Sequence, residues 1–149
     1  MLWLKNRGYK VIGLELSTGL AELAREHSGL EVIEADFETY DPTNLNADAF
    51  ILVGSLVHIH HARIPALLAR LTSKLKVRGK VFLTLKEGLG SSDDRFGRTF
   101  FYWRDEDLRH IFAEIGLKVL DFRRQISMIR KNDVWLGYVL EKRALIADN

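Results

Sequence analysis

The sequence predicts a layered α/β domain, with a mostly parallel sheet and an antiparallel strand pair at its end. Three observations carry this expectation. Residues 10–16, 31–35, 49–53 and 80–85 are short apolar runs, and the first and third have the pattern of strands covered on both faces. Segments with 3.6-residue apolar spacing stand between most of them, the alternation that builds crossover units. The last two strand-like stretches, residues 117–123 and 134–141, are joined through Arg130, Lys131, Asn132 and Asp133, which marks a hairpin rather than a crossover.

Taken in order, Leu2, Trp3 and Leu4 read as the last turns of a helix, with Lys5 and Arg7 near its end and Gly8 as its left-handed stop. The strand at 10–16 places Glu15 at its end and runs into a helix that Ser17 or Thr18 caps. That helix carries Leu20, Leu23, Ala24 and His27 on one face and closes at Gly29. The strand at 31–35 is followed by Asp36 and Phe37, and residues 40–46 form a loop. Gly54 and Ser55 break the strand at 49–53. After Leu56 to His61, a helix shows Ile64, Leu67, Leu68, Leu71 and Leu75 at helical spacing, with Pro65 tolerated in its first turn. Val77, Arg78 and Gly79 turn the chain into the strand at 80–85, and the glycine-rich, charged stretch 86–98 reads as a mobile surface loop. Asp105 caps a helix with Leu108, Ile111, Phe112 and Ile115 on one face, and Gly116 ends it. The tail after Lys142 is expected to fray.

With 149 residues, 47% of them hydrophobic, the chain has the length and composition of one globular domain. It has no cysteine, which excludes a disulfide framework, a thiolate metal site and a cysteine nucleophile. The start lacks the features of a signal peptide, and no apolar run approaches a membrane span, so a cytoplasmic protein without a membrane partner is expected. A net charge of +2 argues against nucleic acid as a partner, and the late basic residues Arg123, Arg124, Arg130, Lys131, Lys142 and Arg143 read as solvated surface.

Several side chains have chemistry to offer. An ionised carboxylate accepts with two oxygens, so Glu15 at a strand end suits the paired hydroxyls of a ribose, against the plainer reading of a solvated acid. His58, His60 and His61 have no nearby carboxylate to complete a metal site, and no metal is expected. Gly88 to Ser92 resembles a phosphate cradle, but no helix follows it, so a flexible lid is the better reading. Arg95 and Arg98 are either solvated or meet an anionic acceptor.

In this order, the elements and the residues at their ends resemble a class I S-adenosylmethionine-dependent methyltransferase. The likeness rests on Gly13 to Ser17, Glu34 to Phe37, Gly54 to His58, Leu75 to Leu83, Gly97 to Leu108 and the hairpin over 117–140. It implies a Rossmann-like methyltransferase fold over residues 1–149 as one domain, S-adenosylmethionine as cofactor, and methyl transfer to a small-molecule acceptor. By the resemblance Glu15 would hold the ribose hydroxyls, Asp36 would accept from the adenine amine and Phe37 would flank the ring. Ser55 and Leu56 would line the cofactor near its methyl, and His58 would serve as general base for an acceptor that must lose a proton, or else only pack beside the cofactor. The family's first strand and its glycine-rich loop have no counterpart in the sequence, so the first strand is expected to be missing and the domain N-terminally truncated. Self-association could then cover the missing central strand, and a non-catalytic binding or structural subunit is the alternative function.

Overall fold

The computed structural model describes residues 1–144, the side chain of Asn44 excepted. The chain forms two compact units, Met1–Asp41 and Pro42–Asn149.

The first unit contains α1 (Leu2–Lys5), β1 (Gly13–Glu15), α2 (Thr18–Ser28) and β2 (Val32–Glu34). β1 and β2 pair in parallel with Glu15 opposite Glu34, so two carboxylates end adjacent strands. The Ser17 hydroxyl caps α2 by accepting from the Leu20 N–H, and Gly29 closes it at φ 59°. The buried stripe of α2 differs from the expected one. Ala21 and Ser28 are buried, whereas Leu20 and Leu23 are exposed. The Arg25 guanidinium donates twice to the Val32 carbonyl, at 3.1 and 2.7 Å, and this tie favours the Ala21–Arg25–Ser28 side over the leucine side.

The second unit contains β3 (Ala47–Val53), α3 (Ile64–Ser73), β4 (Leu75–Glu87), β5 (Ser91–Asp93), β6 (Thr99–Trp103), α4 (Asp105–Glu114), β7 (Leu117–Ile126) and β8 (Val134–Lys142). Its sheet has the order β5-β6-β4-β8-β7, with β3 also paired to β4. β3 and β6 run parallel to β4, β8 runs antiparallel to it, and β7 pairs antiparallel with β8 as the expected terminal hairpin. Phe50, Leu52, Val81, Leu83, Tyr138 and Leu140 share one sheet face by register, and Val81, Leu83, Tyr138 and Leu140 are fully buried. On the opposite face Ile51, Val53 and Phe82 remain 51%, 59% and 40% exposed, so β3 is not covered on both faces as its apolar run suggested.

Three local expectations are revised. The turn at Val77 to Gly79 lies inside β4 as an irregularity, with Ala47 opposite Leu75 but Ala49 opposite Lys80. A Cβ at Gly79 would stand 2.7 Å from the Lys76 carbonyl and 3.0 Å from that of Asp48, which explains the glycine there. The stretch 86–98 is not a bare loop, because β5 folds back on β6 and adds a third antiparallel pair. Asp105 stands in the first turn of α4, after an Arg104 N-cap that makes no side-chain cap bond, and its carboxylate accepts instead from Arg109 and the Tyr138 hydroxyl. At the C-terminus the Arg143 N–H donates to the Gly116 carbonyl, and the tail from residue 145 lies outside the described residues.

Candidate functional site

β4 uses one edge twice. β3 occupies its first part, and β6 takes over at Lys86 and Glu87, opposite Tyr102 and Trp103. Between them the chain leaves the ladder at Gly54, whose φ of 62° suits glycine and whose N–H donates to the Thr84 hydroxyl at 2.8 Å. The following segment is then fastened to β6. Phe101 donates its backbone N–H to the Val57 carbonyl at 2.8 Å, and the His58 and His61 rings bond the Thr99 and Tyr102 carbonyls, each at 2.7 Å.

These bonds fix the tautomers of the neutral rings. A carbonyl oxygen has no proton to give, so His58 Nδ1 and His61 Nε2 carry theirs, and the lone pair of His58 is left on Nε2. His60 Nδ1 accepts from the Ala62 N–H at 3.2 Å, which places its proton on Nε2. His58, exposed, therefore presents a ring nitrogen able to accept a proton, the first requirement of a base.

Behind His58 stands a buried cation. The Phe100 ring lies 4.4 Å from the His58 ring, Lys86 Nζ lies 4.3 Å from the Phe100 centroid, and Asp133 accepts from Lys86 at 2.7 Å. Lys86 is only 5% exposed, and the ion pair with the ring contact offsets the cost of burying its charge. In front of His58 a cavity of about 420 Å³ is lined by His58, His60, Arg63, Arg98, Thr99 and Phe101. Arg98 is held by Asp94, which accepts from Nε at 2.8 Å and Nη2 at 2.6 Å, and these bonds hold the Asp94 carboxyl down at about 2.

The other expected residues fall as follows. Ser55 is exposed and Leu56 fully buried, both in the segment that carries His58, so Leu56 can present only its backbone to a ligand. In the first unit Glu15 is half-buried at the end of β1, where Oε1 accepts from the Ser17 N–H at 2.9 Å. Asp36 Oδ1 accepts from the Glu38 N–H at 2.8 Å, so this residue shapes a turn, and Phe37 is half-buried beside it. Glu15 and Asp36 follow adjacent parallel strands and are brought to the same sheet end. Among the described residues no group of three or more His, Asp or Glu is placed to hold a metal ion, and no helix is long and apolar enough to cross a membrane.

Arg63, Lys86, Phe100 and Asp133 were not singled out from the sequence as site residues. Lys86 carried the one usable signal, a lysine continuing the strand that holds Val81, Leu83 and Leu85, but its partner Asp133 is 47 residues away.

Residues 1–79, just over half of the 149-residue chain, match the family model described as a methyltransferase domain. The chain belongs to that family, and the fold is that of the class I methyltransferases whose cofactor is S-adenosylmethionine. No curated protein matches significantly. Among solved structures the chain is similar to the 1,6-didemethyltoxoflavin-N1-methyltransferase of Burkholderia thailandensis, with bound 1,6-didemethyltoxoflavin and S-adenosylhomocysteine, at TM-score 0.77 and 16% identity. That alignment covers 95% of this chain and 65% of the Burkholderia protein, so the chain spans less than two thirds of its length. A methyltransferase from Methanosarcina mazei (TM-score 0.77, 14% identity, 95% of this chain and 86% of that one) is similar. So is one from Mesorhizobium loti (TM-score 0.76, 12% identity, 94% and 84%).

Proposed function

We propose that this chain transfers a methyl group from S-adenosylmethionine to a small-molecule acceptor. The observation that carries the reading is Glu15, a half-buried carboxylate at the end of a parallel strand inside the segment that matches the family. The donor set fits the cofactor chemically. Glu15 gives one oxygen to Ser17 and Asp36 one to Glu38, and each carboxylate keeps acceptor capacity for a ribose diol or an adenine amine. Phe37 would flank the adenine. The cofactor supplies an electrophilic methyl group on a sulfonium sulfur.

The protein's own part is then alignment and proton removal. For a hydroxyl or amine acceptor, His58 Nε2 takes the proton as the new bond to carbon forms, and the Thr99 carbonyl steadies the resulting imidazolium through Nδ1–H. The small-molecule class is supported by the Burkholderia relative, which holds one. Self-association belongs to the same reading: among the described residues β3 pairs only with β4, and an unpaired strand edge is a template for another strand.

Titration calorimetry with S-adenosylmethionine tests the cofactor site. Glu15→Ala should cost about 1.5 to 3 kcal/mol of binding, the range for hydrogen bonds to a charged group, with the circular dichroism spectrum retained. Equal affinities for the two forms would return Glu15 to the role of a turn acid.

A further inference from the structure

The cavity in front of His58 has a one-sided chemistry. Of its six lining residues two are arginines and two histidines, and none is a carboxylate. Arg98 is arranged as a recognition group rather than a free surface charge. One edge of its guanidinium, Nε and Nη2, is taken by Asp94, and the group lies 5.6 Å from both the Phe96 and Phe100 ring centroids. The Nη1 donors remain outside the Asp94 bond, on a group whose orientation is already set, so less freedom is lost when an anion binds. Asp94 itself is fastened by the Phe96 and Arg98 backbone N–H groups at 2.8 and 3.0 Å, which makes the 94–98 turn a mount for the arginine. The other nearby acid, Asp93, is occupied by the Thr99 hydroxyl at 2.6 Å. His60, with its proton on Nε2, adds a neutral donor, and Phe101, 5.1 Å from the His60 ring, adds an apolar wall.

We propose that this cavity is an anion subsite, which seats a carboxylate or phosphate group of the methyl acceptor beside His58. The proposal names the acceptor's chemical class and rests on the methyl-transfer reading. The anion anchors the acceptor at Arg98 and Arg63, and the atom to be methylated then lies on the His58 side. An arginine fork matches the two oxygens of either anion.

The test uses the whole chain without cofactor, so it stands or falls separately from S-adenosylmethionine binding. The His58 and His60 imidazole resonances are followed by NMR while benzoate or inorganic phosphate is added at constant ionic strength and pH. Saturable shifts of both rings with millimolar affinity are expected for at least one of the two anions, and the anion that saturates identifies the group. Arg98→Met and Arg63→Met should each weaken binding roughly tenfold, while Arg123→Met, an exposed arginine outside the cavity, should leave it unchanged. Two different arginines are replaced so that misfolding of one variant leaves the other to decide. No saturable shift with either anion, or an affinity equal to that of the unmodified chain in a cavity variant that folds, would overturn the proposal.

Discussion

His58 donates its Nδ1 proton to the Thr99 carbonyl across 2.7 Å, a contact between residues 41 apart in the chain. His61 makes the mirror choice and donates from Nε2 to Tyr102. Two histidines three positions apart should therefore show opposite tautomers when neutral. Long-range proton–nitrogen correlation spectra above pH 8 should show a protonated Nδ1 for His58 and a protonated Nε2 for His61. The same tautomer in both would remove His58 Nε2 from consideration as a base.

The Lys86–Asp133 pair fastens the β7–β8 connection to the end of β4. Lys86→Met should destabilise the fold by about 2 to 4 kcal/mol, because Asp133 is left largely buried without its counter-charge. Adding Asp133→Asn should recover part of the loss, since the double variant buries no unpaired charge. Urea denaturation of the two single variants and the double variant measures the coupling. Additive effects would show that the pair is not one unit.

Tyr138 is fully buried, and its hydroxyl donates to Asp105 Oδ1 at 2.7 Å. Burial first, and then this bond, hold the hydroxyl well above the usual tyrosine range. An unfolded tyrosine loses its proton near pH 10. The folded state then holds the proton that the unfolded state releases, so the contribution is complete below about pH 10 and is lost as pH rises beyond it. Tyr138→Phe should cost about 1 kcal/mol at neutral pH and should flatten the alkaline fall in stability. An unchanged alkaline limb in the variant would contradict this.

At the acid end, Asp94 remains ionised to about pH 2 because Arg98 bonds its carboxylate. Its contribution is present above its unfolded value and is lost as pH falls through about 2. Carbon-detected titration of the Asp94 carboxyl should place its midpoint well below that of a model aspartate, and Arg98→Met should return it to the ordinary range. A normal midpoint in the unmodified protein would mean that the 94–98 turn is open in solution.

The β1–β2 and β3–β4 parallel pairs, the terminal hairpin and the helices at Ile64 and Leu108 were legible because each is written locally, in apolar periodicity and in residues such as Gly29 and Gly116 at element ends. The candidate site was legible only in part. Gly54 and the histidines announced a break at a strand end. The fastening of that break to β6 depends on backbone carbonyls at Thr99 and Tyr102, which no side-chain pattern encodes. The same limit explains why 86–98 read as a loop: Ser91–Asp93 is short, polar and exposed, and it becomes a strand only because β6 offers it a partner. For α2 the leucine periodicity suggested one face, and a single arginine bonded to the Val32 carbonyl of the next strand favours another.

Because β4 hands the same edge from β3 to β6, the segment between Gly54 and Arg63 sits at a seam in the ladder rather than at the tip of a hairpin. Residues can be gained or lost at such a seam without shifting the register of either flanking pair, since each is set separately against β4. The walls of the cavity are thereby free to vary while the strands that hold them stay in place, an arrangement that lets one framework carry differently shaped cavities.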